Sequence, residues 1–269
     1  MSENETADSE NPASRFPVIR QITAGAIPGW LNAGWQDFRR GGRASLFYGA
    51  CFAGAGWLIQ AVFANAYVLF AGLTIALLLF GPFLALGLYD LSRRIERGES
   101  PELRLSIAAW RPNLANVGVF AALMVVVLLL WARASLIVFA LFFDGGLPTF
   151  ADVVRTVLTF EQADFAVAYF IVVIFFALFL FAISVVALPL MLDRRTDAVT
   201  ATIASLVTFG YNPGPMLAWA ACIVLLTALG FATLFIGLIV TMPLIGHATW
   251  HAYRDLVATS SEADEKARS

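Results

Sequence analysis

The sequence predicts an all-α polytopic membrane protein with six transmembrane helices in three hairpin repeats, each repeat introduced by an interfacial amphipathic helix. Three observations carry that expectation. The 269 residues are 60% hydrophobic and only 13% charged, against roughly 25% charged in a soluble domain. Apolar runs of the length needed to cross a hydrocarbon core of roughly 30 Å, about 20 helical residues, recur along the chain. The arginines cluster between alternate runs, which is the pattern that loop charge imposes on membrane topology.

Met1–Ser14 is polar and acidic. It lacks the basic start and short apolar core of a secretory signal, so the first span is expected to act as its own uncleaved signal. Residues 1–28 are expected to be a disordered polar tail, 29–257 a six-span membrane domain, and 258–269 a second disordered tail. Leu46–Phe63 and Tyr67–Tyr89 form a first pair of spans. Leu114–Phe143 and Phe165–Leu192 form the second, and Met216–Tyr253 is too long for one upright helix.

Loop charge decides how that last run is used. Arg39, Arg40 and Arg43, then Arg93, Arg94, Arg97, Arg104 and Arg111, then Arg194 and Arg195 mark the cytoplasmic side. The loop holding Asp144, Asp152, Glu161 and Asp164 against Arg155 falls outside. A hairpin turning near Gly230 returns Arg254, Lys266 and Arg268 to the cytoplasm, whereas a single span would strand them outside. Both termini are therefore expected to be cytoplasmic, in a bacterial inner membrane.

Each pair of spans follows an interfacial segment: Trp30–Arg40, Leu103–Pro112 and Ala198–Tyr211. In the first, Trp30, Leu31, Trp35 and Phe38 share one side at helical spacing, with Asp37, Arg39 and Arg40 opposite, as suits a helix in the headgroup plane. Pro82, Pro189 and Pro243 sit in the second span of each unit. Proline frees a backbone carbonyl and kinks a helix, so these three are helix kinks that either line a vestibule or serve packing. Gly49, Ala53 and Gly56 allow a close helix approach. Val153–Phe160 has the pattern of a short amphipathic helix outside the membrane.

Gly81–Glu96 (GPFLALGLYDLSRRIE), Trp131–Ala134 (WARA), Ala187–Asp197 (ALPLMLDRRTD), Asn212–Ala220 (NPGPMLAWA) and Pro243–Leu256 (PLIGHATWHAYRDL) resemble the signature blocks of a bacterial inner-membrane family, the domain of unknown function 2189 family. The resemblance runs from about Trp30 to Val257. It implies an integral membrane protein and transfers no activity. Some members are labelled as a cytochrome c oxidase subunit. A haem–copper catalytic subunit needs about six histidines for its haems and copper, and this chain has two, His247 and His251.

At positions i and i+4, His247 and His251 share a helix face and form the one candidate metal or haem site, with Asp255 continuing the spacing. The favoured reading is that both bond to headgroups or backbone at the cytoplasmic interface, so no cofactor is expected. Arg133 lies within a thirty-residue apolar run, as a functional charge inside the membrane or a snorkelling one beside Trp131 at the outer interface. Asp144, Glu161 and Asp164 are its available counter-charges. Cys51 and Cys222 sit singly in apolar runs and are read as packing residues. Walker, Rossmann, HExxH and GxSxG patterns are absent, and no mid-span acid is present to couple an ion gradient.

These features point away from an enzyme. They favour a non-catalytic accessory, assembly or regulatory factor for another membrane system, with a pore or carrier for a small or apolar solute as the alternative. The expected partners are the lipid bilayer and another membrane complex. A net charge of −2 gives no reason to expect nucleic acid.

Overall fold

The structure, a computed structural model, describes residues 16–65, 67–143 and 163–258, without the side chains of residues 62–80 and Pro82. Asp144, Asp152, Arg155, Glu161 and the segment Val153–Phe160 lie outside the described residues. Ten α-helices are described: α1 Ile27–Gly41, α2 Arg43–Asn65, α3 Tyr67–Glu96, α4 Leu103–Ser106, α5 Leu114–Phe142, α6 Ala163–Ser184, α7 Ala187–Arg194, α8 Ala198–Tyr211, α9 Pro213–Ala232 and α10 Leu238–Leu256. The only strand-like feature among them is an isolated antiparallel bridge between Ile19 and Val257.

Three helical stretches among the described residues are long and apolar enough to cross a membrane, at 103–142, 163–194 and 213–232. Only 28%, 33% and 17% of their most apolar windows are buried within the protein. Most of their apolar surface therefore faces outward and needs an apolar solvent.

The chain divides into two compact units, residues 121–182 and the remainder. In the larger unit α10 is the central helix, with α1, α2, α3 and α9 packed around it. Eleven of its residues are buried, from Leu238 to Leu256. Small residues permit that crowding. A Cβ on Gly34 of α1 would lie 2.7 Å from the Ala248 nitrogen, and one on Gly49 of α2 would lie 2.1 Å from the Ile239 carbonyl oxygen. Ile239 is four residues before Pro243, so its carbonyl is the one that the proline ring leaves without a helical donor. The backbone of α2 therefore passes close to α10 at that carbonyl.

The last apolar run folds as two helices, α9 and α10, and the turn lies just beyond the expected Gly230. It spans 233–237, where Leu234 and Phe235 adopt positive φ of 54° and 69°. The Thr233 hydroxyl accepts from the Gly237 amide at 2.7 Å, and Trp57 donates to the Leu234 carbonyl at 2.9 Å. Gly230 is a contact point instead: a Cβ there would meet Leu238 at 2.3 Å. Leu234 and Phe235 have little turn propensity, and one of the bonds that hold this turn comes from Trp57, distant in sequence, which a local reading misses.

Three other expectations change. Residues 16–28 are not part of a disordered tail. Arg20 donates to the Leu256 carbonyl at 2.8 Å and Ala258 to the Val18 carbonyl at 2.9 Å, so the segment from Phe16 clamps the end of α10. Asn212 holds the same segment, accepting from the Ile22 amide at 2.9 Å and donating to the Arg20 carbonyl at 3.0 Å. The segment 103–112 is a single helical turn, α4, followed by turns and a 3-10 turn at Arg111–Asn113. On α1 the buried stripe is Trp30, Gly34, Asp37 and Gly41, while Trp35 is 42% exposed. Asp37 thus belongs to the protein-facing side of α1, opposite to the expectation.

The kink prolines differ in their surroundings. The fourth apolar run breaks at Val185–Val186, between α6 and α7. Val185 is the residue whose carbonyl Pro189 cannot serve, and the Val186 amide turns to the Ser205 hydroxyl at 3.1 Å. Pro243 lies buried inside an uninterrupted α10. Pro82 lies within α3, and its side chain is outside the described residues.

In the smaller unit, the distal part of α5 and α6 pack through aromatic rings. Phe165 is fully buried against Phe139, Phe142 and Phe143, with centroids at 5.6, 5.8 and 5.0 Å, and Tyr169 stacks on it at 5.8 Å. Arg133 is exposed on α5 and makes no ion pair among the described residues. Cys51 and Cys222 are free and half-buried.

Candidate functional site

His247 stands in the second half of α10 and is fully buried. Its Nε2 is 2.9 Å from the Ser45 hydroxyl of α2, and its Nδ1 is 2.7 Å from the Ser92 hydroxyl of α3. Both serines are fully buried as well. A neutral imidazole has one donor and one acceptor nitrogen, and each hydroxyl serves either role. The Ser45–His247–Ser92 chain therefore closes with every polar atom satisfied, and it ties three helices together in a region where a lone polar group would be costly.

One turn further on, His251 is 2.8 Å from the buried Asp37 carboxylate of α1. A turn beyond that, Asp255 accepts from the Trp30 indole at 2.6 Å. The i, i+4, i+8 series on α10 thus meets α2 and α3 first and then α1 twice. The sequence placed the two histidines on one face, and the structure keeps them there with separate partners. Both ring nitrogens of His247 are occupied by serines, and His251 by Asp37. A metal ion would have to displace these partners, and no group of three or more His, Cys, Asp or Glu among the described residues could hold one.

The other side of α10 carries an ion-pair cap. Trp250 donates to Glu96 at 3.0 Å, Arg254 pairs with Glu96 at 2.9 Å, and the Tyr253 hydroxyl donates to Asp193 at 2.9 Å. Arg254 and Arg97 approach Asp193 at 3.5 and 3.6 Å. On α3, Asp90 is fully buried between Arg93 and Arg94, the latter at 2.7 Å. Arg93 also donates to the Leu192 carbonyl of α7 at 2.8 Å, and Arg194 reaches the Ala258 carbonyl.

Asp90, Ser92, Glu96, Asp193, Tyr253 and Arg254 all lie in strings that the sequence offered as family blocks. Their convergence on one end of α10 gives those strings a common physical purpose. The family model described as "Predicted integral membrane protein (DUF2189)" matches residues 67–193. That span makes the chain similar to this family and supports the resemblance carried by the sequence blocks. The matched residues supply Asp90, Glu96 and Asp193 to the cap and Ser92 to His247, while the histidines and Asp37 lie beyond them. No curated protein matches the chain, and no solved structure does.

Sequence reasoning missed Asp37, Ser45, Ser92 and Asp90. For Asp90 a signal existed, because Arg93 and Arg94 follow at i+3 and i+4, where helical side chains meet. For Asp37 the signal was the spacing of Trp30, Gly34, Asp37 and Gly41, a stripe of small residues among large ones that marks a close helix contact. Nothing local distinguishes the two serines.

Proposed function

We propose that this integral membrane protein is a non-catalytic accessory factor of a bacterial inner membrane, assisting the assembly, stability or regulation of another membrane system. In this reading it has six spans and both ends in the cytoplasm, so the ion-pair cap faces the cytoplasm. The carrying observation is the closed set of partners around α10. Histidine, serines, carboxylates and arginines there are bonded to one another, which makes a rigid scaffold and leaves no group poised for proton transfer or for a moving ion. Such a network fixes how helices meet.

Recovery from membranes at native expression tests this reading, with a stable co-purifying membrane protein expected. Repeated recovery of the protein alone would sink it. The rival class, a pore or carrier, is motivated by Arg133, an exposed cation in a long apolar helix. Reconstitution into liposomes separates the two, because a solute-specific flux lost in Arg133→Gln would favour transport. A redox role is tested by metal content and the reduced-minus-oxidised spectrum. Stoichiometric metal or a haem band lost in His247→Ala/His251→Ala would replace the scaffold reading.

A further inference from the structure

A groove of about 890 Å³ opens where α2 and α3 meet α4 and the turn that follows it. Its volume lies in the range of small-molecule clefts, roughly 300–1,000 Å³. The walls include Phe47, Leu105, Ile107 and Trp110, and Arg104 and Arg111 line it too. Phe47, Leu105 and Ile107 are 41–48% exposed, so the apolar walls are open to whatever surrounds the protein. The indole of Trp110 is held in place by its bond to the Ile107 carbonyl at 2.8 Å and by an edge contact with Phe83 at 6.4 Å.

Two arginines stand at this groove. Asp90 and Glu99 hold Arg94, Asp90 holds Arg93, Asp193 faces Arg97, and Glu96 faces Arg254. Arg104 and Arg111 are exposed and make no ion pair among the described residues. The carboxylates of the nearby cap are engaged with other arginines, which leaves this pair open to an anion from outside the chain. An occupant that matches the groove has an apolar body and an anionic head. In the six-span reading the helices that form its floor cross the bilayer, whose lipids are molecules of that design.

We propose that this groove is a binding site for an anionic glycerophospholipid of the surrounding bilayer. One acyl chain lies along Phe47, Leu105, Ile107 and Trp110, and the phosphate is held between Arg104 and Arg111. Guanidinium groups suit phosphate because their donors form a planar fork that matches two of its oxygens. The site depends on the protein being in a membrane and is independent of the accessory role proposed above.

The test uses the full-length protein in nanodiscs containing either brominated phosphatidylglycerol or brominated phosphatidylcholine at equal mole fraction. Bromine on the acyl chain quenches nearby indoles, and subtracting the Trp110→Phe signal isolates Trp110. Several-fold stronger quenching of Trp110 by phosphatidylglycerol is expected. The preference should vanish in Arg104→Gln/Arg111→Gln and survive in Arg104→Lys/Arg111→Lys, which preserves the charge that guides insertion. Ile107→Asn keeps both arginines and should weaken quenching by removing part of the apolar wall. Equal quenching by the two lipids, or a preference that survives the glutamine pair, would overturn the site. Loss of the preference in millimolar inorganic phosphate would also overturn it, by showing a free-anion site rather than a lipid site.

Discussion

The larger unit and the smaller one, residues 121–182, solve the same problem with different chemistry. Around α10 the helices are fixed by small residues and paired polar groups: Gly34 and Gly49 bring backbones together, His247 and His251 are bonded across helices, and Asp90 holds Arg93, which reaches the Leu192 carbonyl of α7. The described helical residues of the smaller unit contain no glycine, and their contacts are made by Phe139, Phe143, Phe165 and Tyr169. Lipid tails are as apolar as a protein core, so burying a phenylalanine between membrane helices gains packing but little solvent transfer. A polar pair has no equivalent partner in lipid. The polar-fixed unit is therefore expected to be the more sensitive to single substitutions, and the aromatic unit the more tolerant.

The largest expected effect is at Asp90. Asp90→Asn leaves Arg93 and Arg94, each a fifth exposed, without their shared carboxylate and should cost about 2–3 kcal/mol, the upper range for hydrogen bonds to charged groups. Thermal unfolding in detergent, read as loss of monodisperse protein, would show it. A melting point within experimental scatter of the parent protein would mean that the cap is ornamental.

Next comes Gly49→Ala. Its new methyl would meet a backbone carbonyl that cannot rotate away, and overpacking of this kind costs roughly 1–3 kcal/mol. Gly54→Ala on the same helix is the control, since nothing lies within 4 Å of the position. Equal effects at the two glycines would remove the argument for close α2–α10 contact.

Phe165→Ala sharpens the comparison from the other side. A soluble core would lose about 3–5 kcal/mol for such a truncation. Here only the cavity and lost dispersion remain, and about 1–2 kcal/mol is expected. The same unfolding assay decides: a loss equal to that of Asp90→Asn would erase the distinction between the units.

How much of this was readable before the structure differs by region for the same reason. That the last run holds two helices was expected from its length and from the loop charge around Arg254. Ala198–Tyr211 matches α8 at both ends, helped by Asp197 and by the Pro213 that follows. The face of α1 was misjudged because amphipathicity was read as lipid against water, whereas its buried stripe faces α10 and carries Asp37. In α5 and α6 no face could be assigned at all, since lipid and protein interior demand the same residues. The serines beside His247 come from α2 and α3, far away in sequence, and only the packing of α10 brings them to one ring.

The smallest effect expected is at Asp197. Its side chain accepts from the Thr200 amide at 2.9 Å and caps α8. That backbone hydrogen bond favours the ionised form and holds the carboxyl below its ordinary value. Because the folded-state value is depressed, the stabilisation is fully present above the unfolded carboxylate pKa, about 3.9, and fades as pH falls through the lower folded value. Asp197→Ala should cost about 1 kcal/mol at neutral pH, as for other lost caps. Asp197→Asn keeps an oxygen acceptor without the charge, so most of the cap should survive at neutral pH. Its difference from the native protein should then shrink as pH drops below about 4. A difference that stays constant through that range would mean that the carboxylate contributes to α8 by shape alone.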